Sequence, residues 1–289
     1  MKRILIATDF SPDGDRAMRH GVAFAQMFDA EVELFTSYAL PALALSPEAF
    51  ALPIGFLEQG EEKAHHRLEQ IAASLRDQGL TVHHSVGLED PSRAICDRAR
   101  AGDAELVVLG TRGRSGLDHI LLGSVAERVA RLAPCPVLTV GARAPEPAPI
   151  RKVLVATDFS RDAEAALTWA NALIARCRAS LILAHSVTPP FGFGEEESYD
   201  DDERTRTQME ESHVQLEELA KTIDVEVEIA VGRRYPETDA LQQADERGAD
   251  LIVVGTRGRR GLPHVLLGST AERIICRAPL PVVTVKHSG

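Results

Sequence analysis

Five short apolar runs, each separated from the next by an amphipathic or polar stretch, recur twice along the chain. ILIAT, VELFTSY, TVHHSV, AELVVLG and PVLTV mark the first half. VLVAT, LILAHSV, VEVEIAV, DLIVVG and PVVTV mark the second, in the same order. Runs this short and this apolar predict strands buried on both faces of a parallel sheet. The stretches between them carry helical spacing. Leu167, Ala170, Ile174 and Cys177 recur along one predicted helix, and Met18, Gly21, Ala25 and Phe28 match them in the first half. Ser11 followed by Pro12 predicts a capped helix start, and Ser160 repeats the cap. Five strands with intervening helices, written twice, predict two tandem doubly wound α/β domains, each with a five-stranded parallel sheet.

The repeat sets the domain boundaries. KRILIATDFS (Lys2 to Ser11) pairs with RKVLVATDFS (Arg151 to Ser160). Later, Gly110 to Val140 pairs with Gly255 to Val285, with 21 of 31 positions identical. The offset falls from 149 to 145 between these blocks, so the second copy is four residues shorter in its middle. We place the domains at 1–141 and 151–289, joined by a Pro-rich linker at 142–150 that is expected to be extended and semi-rigid.

Charge and composition narrow the partners. The chain of 289 residues has a net charge of −11, which disfavours a nucleic-acid surface but leaves room for a small nucleotide in a locally positive pocket. No stretch approaches the roughly 20 apolar residues of a membrane span. The apolar run near the start is too short for a secretory leader, so a cytoplasmic location is expected. Four cysteines, Cys96, Cys135, Cys177 and Cys276, show no metal-ligand spacing and read as buried or incidental thiols.

The candidate chemistry sits in GTRGRSGLDHILLGS (Gly110 to Ser124) and its twin GTRGRRGLPHVLLGS (Gly255 to Ser269). Glycines at 110, 113 and 123, and again at 255, 258 and 268, keep backbone clear beyond the carboxyl end of the fourth strand. Ser124 and Ser269 then open a helix whose first amides lack intrahelical partners. Such amides favour an anion, and the serines are expected to cap the helix while offering a hydroxyl. Left-handed turns alone are the competing reading of the glycines. Asp9 and Asp158 follow the first strand of each copy and are delivered to the same end. Arg112, Arg114, Arg257 and Arg259 read either as phosphate contacts or as solvated loop cations. His119 and His264 read as packing residues rather than catalysts. Neither a P-loop nor a G-x-G-x-x-G fingerprint is present.

With ATDFS in front and G-x2-G-x9-G-[ST] behind in both copies, the chain resembles a tandem universal stress protein of the ATP-binding type. The resemblance covers nearly all of both halves. It implies a Rossmann-like fold of the adenine nucleotide alpha hydrolase type, holding ATP (or AMP or ADP) with Mg²⁺. On the matching positions it implies nucleotide contacts from Asp9, Gly110, Arg112, Gly113, Gly123, Ser124 and Val125. In the second copy the same positions are Asp158, Gly255, Arg257, Gly258, Gly268, Ser269 and Thr270. The family's Asp lies near the adenosine and metal region, with the triphosphate over the glycine loop. Where the family often has Val at the end of the second strand, this chain has Ser37 and Ser186. Pairing through the closing strands, and a homodimer, are implied too, together with protein partners whose identity the sequence does not give. No residue in the block is an evident general base, so hydrolysis is expected to be slow at most. A nucleotide-free scaffold or chaperone-like protein is the alternative; an adenylating or pyrophosphatase enzyme is disfavoured for want of its loop signatures. Changing Gly123 and Gly268 to valine is expected to remove nucleotide while leaving the fold intact. The run EEESYDDDE (195–203) is expected to be a solvated loop.

Overall fold

The computed structural model describes residues 1–37, 56–113, 122–187, 203–258 and 267–287. The chain divides into two units, Met1–Ala148 and Pro149–Gly289. In the first, β1 (Arg3–Ala7), α1 (Pro12–Phe28), β2 (Glu31–Ser37), α2 (Phe56–Asp77) and β3 (Val82–Gly87) are followed by α3 (Pro91–Ala101), β4 (Leu106–Gly110), α4 (Ser124–Leu132) and β5 (Val137–Val140). The sheet runs β3-β2-β1-β4-β5, parallel throughout, with Ile4 opposite Val32 on one side and Leu106 on the other. This is the doubly wound arrangement expected from the apolar runs.

Alternation along each strand assigns the two faces. Leu5, Ala7, Val107, Leu109 and Val137 share a core with Ala94, Ile95 and Ala99 of α3 and Ala126 and Val129 of α4. On the opposite face, Gly21 brings α1 so close to the sheet that an added Cβ would lie 2.7 Å from Ile6 Cδ1. The buried stripe of α1 is Ala17, His20, Gly21, Phe24 and Ala25; Met18 and Phe28 flank it rather than fill it. Small side chains at the contact let helix and strand approach, which the apolar spacing alone does not reveal.

The second unit repeats the plan. It consists of β6 (Lys152–Ala156), α5 (Arg161–Cys177), β7 (Ser180–Ser186), α6 (Glu203–Ala220), β8 (Val227–Gly232), α7 (Pro236–Glu246), β9 (Leu251–Gly255), α8 (Ser269–Arg277) and β10 (Val282–Val285). Its parallel sheet is ordered β8-β7-β6-β9-β10. Ser11 and Ser160 cap α1 and α5 as expected, accepting from Gly14 N and Ala163 N. Burial also refines the alignment of copies. Ala64 and Leu68 of α2 are matched by Ser212 and Leu216 of α6, an offset of 148, so most of the shortening falls after the helix rather than before it. Among the described residues no helix is long and apolar enough to cross a membrane.

The Pro-rich stretch after β5 is anchored to α1. Glu146 accepts from Arg19 at 2.7 and 2.8 Å, and His20 Nε2 lies 2.9 Å from Pro145 O. Burial holds His20 below its ordinary value of about 6.5. A histidine kept neutral by folding contributes stability that is complete above its unfolded value and is lost as pH falls through that value toward the lowered one. Wild-type protein is therefore expected to lose thermal stability between pH 7 and pH 5 more steeply than His20→Gln. Parallel melting curves for the two proteins across that range would contradict the assignment.

None of the four cysteines forms a disulfide. Burial, with Cys96 adjacent, pushes the Cys135 thiol up to about 12. At pH 7.5 its thiolate fraction is then on the order of one part in ten thousand or less. Native protein treated with a thiol reagent is expected to leave Cys135 unmodified until denaturant is added. Prompt labelling of Cys135, read by peptide mass spectrometry, would show otherwise.

Candidate functional site

At the carboxyl end of the first sheet, between β1 and β4, the chain forms a cavity of about 680 Å³. This is the topological switch point, where the connections from neighbouring strands leave in opposite directions and open a crevice. Every unit-one residue singled out by the glycine pattern lines it: Asp9, Gly110, Arg112, Gly113, Gly123, Ser124 and Val125. Phe10, Thr36 and Ser37 contribute from the ends of β1 and β2, and Lys63 and Arg67 from α2.

The glycines first serve the protein itself. A Cβ at Gly113 would lie 2.8 Å from Asp9 Oδ2, and one at Gly110 would meet the Asp13 carbonyl carbon at 2.9 Å. Gly123 donates its N–H to Thr111 O at 2.9 Å, and a Cβ there would stand 2.9 Å from that same oxygen. The spacing of the pattern is thus the spacing at which loop, aspartate and helix start can fit together. Asp9 is held by Ser11, whose backbone N and Oγ donate to Oδ1 at 3.0 and 2.6 Å. Ser37, at the position where a valine was noted as usual, donates from Oγ to Glu89 O at 2.6 Å.

One local expectation is corrected. Ser124 and Ser269 do not cap their helices. Gly123 and Gly268 occupy the cap positions with extended backbone, and neither helix has a side-chain cap. The serines sit one residue inside and are exposed. Glycine offers no side-chain oxygen, so the first amides of α4 keep their donors toward the cavity instead of spending them on a cap. Arg114, Arg259, His119, His264 and most of the acidic run lie outside the described residues.

Phe10 was not singled out by sequence, yet it is the most unusual residue of the site. Its φ is 62°, and Phe159 in the second copy has 61°. A bulky side chain in the left-handed region costs roughly 1–3 kcal/mol and persists only where surroundings fix it. Here Thr8 Oγ1 accepts from Phe10 N at 2.9 Å, and Thr157 Oγ1 accepts from Phe159 N at 3.0 Å. The strained turn aims the ring at α2, where the Arg67 guanidinium lies 4.4 Å from the ring centre. The only sequence signal was that Phe is kept in both copies of ATDFS.

The second unit reuses the backbone with different side-chain partners. Asp158 Oδ1 accepts from Ser160 N at 3.1 Å. A Cβ at Gly258 would lie 2.6 Å from Asp158 Oδ2, one at Gly255 2.8 Å from the Asp162 carbonyl carbon, and Gly268 N donates to Thr256 O at 2.8 Å. Arg257, however, donates from Nε and Nη2 to Asp162 at 3.1 and 3.3 Å. Thr256 Oγ1 and His287 N donate to the same carboxylate at 2.7 and 3.2 Å. In the first unit the matching Asp13 is engaged by Arg16 at 3.2 Å, and the second unit has Ala165 where Arg16 would stand. Thr270 follows Ser269 on α8 and is half-buried. Among the described residues no cluster of three or more metal-ligating side chains occurs.

Comparison with known proteins agrees with this fold. The profile described as the universal stress protein family matches residues 1–141 and 149–286. A universal stress protein of Mycolicibacterium smegmatis is 30% identical over 98% of this chain and 96% of its own length. One from Mycobacterium tuberculosis is 28% identical over 99% and 96%. Among solved structures, a universal stress protein from Archaeoglobus fulgidus superimposes with a TM-score of 0.73 at 24% identity, over 98% of each chain. That likeness speaks to the tandem fold.

Proposed function

Because the chain belongs to the universal stress protein family, we propose that it binds an adenine nucleotide and acts in the stress response through nucleotide-dependent conformation. The observation that carries this reading is the first unit's cavity: its wall gathers the glycine loop, the uncapped start of α4 and Asp9 in one place. In this reading the phosphates of ATP lie against the loop and the first amides of α4, where the helix dipole favours negative charge. Arg112 adds a cation on the same side, and Ser124 a hydroxyl. Asp9 faces the nucleoside and any Mg²⁺ that enters with the phosphates, and the corresponding residues of the second unit form its counterpart. Because the sequence of the block offers no evident general base, turnover in this reading is slow hydrolysis at most. Occupancy in this reading changes the conformation offered to partners in the cytoplasm, including a second copy of the chain.

A second reading draws on a specific observation. Each glycine of the pattern is required by neighbouring protein atoms, so its retention in both copies does not by itself demand a ligand. On that reading the protein is a scaffold whose cavity holds no nucleotide. Mass spectrometry of the supernatant after heat denaturation separates the two. Co-purified ATP, ADP or AMP is expected, together with a calorimetric isotherm for Mg-ATP. Purified protein that carries none and gives no heat with millimolar Mg-ATP would leave the scaffold reading standing.

A further inference from the structure

We propose that Arg67, stacked on Phe10, is the base-recognition residue of the first unit's cavity. The inference rests on the nucleotide reading above and identifies what meets the end of the ligand remote from the phosphates. In the order β3-β2-β1-β4-β5, the glycine loop follows β4, whereas α2 packs on β2 and β3. The end of β1, with Asp9 and Phe10, therefore lies between loop and helix. A phosphate tail on the loop directs the nucleoside toward Phe10 and α2.

What waits there is a flat cation on an aromatic ring. The Arg67 guanidinium sits 4.4 Å from the Phe10 centroid, and both residues line the cavity. A guanidinium is planar and weakly hydrated, so the face turned away from Phe10 is a platform for a nucleobase. Cation–π contact with Phe10 restrains the long side chain beforehand, which lowers the entropy lost when a base arrives. The fixed left-handed turn at Phe10 sets the ring's direction, and Ala64 and Leu68, buried beneath α2, set the position of Arg67 on the helix.

The second copy shows the same turn put to another use. Phe159 packs against His185 of β7, with ring centroids 4.8 Å apart. His185 stands where the first unit has Thr36, and its Nδ1 lies 2.8 Å from Thr157 O. In the register set by Ser212 and Leu216, the residue matching Arg67 is Gln215. The aromatic ring that receives a stacking cation in one unit is packed by a residue of its own sheet in the other.

Calorimetry on the full chain with ATP, CTP and inorganic tripolyphosphate tests this. Arg67 is exposed on the helix surface, so Arg67→Ala and Arg67→Lys are expected to fold. Arg67→Ala should weaken ATP about tenfold at the tighter site and shrink the preference for ATP over CTP, while tripolyphosphate binding stays within twofold. Arg67→Lys should fail to restore ATP affinity, because it keeps the charge and loses the plane. Wild-type ATP affinity or base preference in either variant would overturn the inference while leaving the nucleotide reading intact. A wild-type chain that binds neither ATP nor tripolyphosphate would overturn both.

Discussion

Gly113→Val is expected to weaken nucleotide binding in the first unit by about a hundredfold or more, without unfolding it. The new Cβ would begin 2.8 Å from Asp9 Oδ2, closer than any ordinary contact, and the nearest atom belongs to a side chain rather than to backbone. The carboxylate swings away, its bonds from Ser11 are disturbed, and the valine methyls enter the space where phosphate would approach the loop. A hundredfold loss corresponds to about 2.7 kcal/mol, the scale of two or three ligand hydrogen bonds forfeited together. Gly123→Val is a poorer probe than the sequence implied. Its Cβ would press on Thr111 O, so the loop backbone itself must move and a loss of binding would not separate site from scaffold. The check is titration calorimetry of Gly113→Val beside circular dichroism. Affinity within threefold of wild type in a folded variant would show that the ligand does not use this loop.

The second large effect is on stability. Asp162→Ala is expected to cost the second unit about 3–5 kcal/mol, the range found when one member of a buried ion pair is deleted. Asp162 is buried and accepts from Thr256 Oγ1, from two nitrogens of Arg257 and from His287 N. Removing it leaves the Arg257 guanidinium, the buried Thr256 hydroxyl and the His287 amide without this acceptor. In scanning calorimetry one transition of the full chain should move down by roughly 10 °C, since 1 kcal/mol corresponds to about 2–4 °C at this size. Asp13→Ala in the first unit should cost less, because Asp13 itself has more access to water than Asp162, 14% against 7%, and is bonded by Arg16 through a single nitrogen. Equal losses in the two variants, or a loss under 1 kcal/mol for Asp162→Ala, would remove the distinction drawn between the units.

How far the sequence carried can be judged on particular residues. The alternation of strands and helices was readable because buried parallel strands and amphipathic helices impose local periodicities of their own. Ser11 and Ser160 were readable as caps because the capped amide lies three residues on. Ser124 and Ser269 were misjudged for a related reason. A glycine one residue earlier satisfies the extended cap geometry without any side chain, and residue type alone does not say which of the two positions is the cap. The spacing read for α1 included Gly21 and Ala25 of the buried stripe but took Met18 and Phe28 in place of Ala17, His20 and Phe24, since the close approach at Gly21 turns the neighbouring column toward the sheet.

By itself the sequence determined the duplication, the α/β alternation, the family, and the set of residues delivered to the carboxyl end of each sheet. Each of these follows from spacing within a segment or from identity between segments. Tertiary structure alone decided which atoms those residues meet: Gly113 against Asp9, Arg257 against Asp162, Arg67 over Phe10. These partners lie tens of residues apart or more, and the choice among them depends on which remote groups share a desolvated space. The two units, so alike when read along the chain, consequently differ at the site.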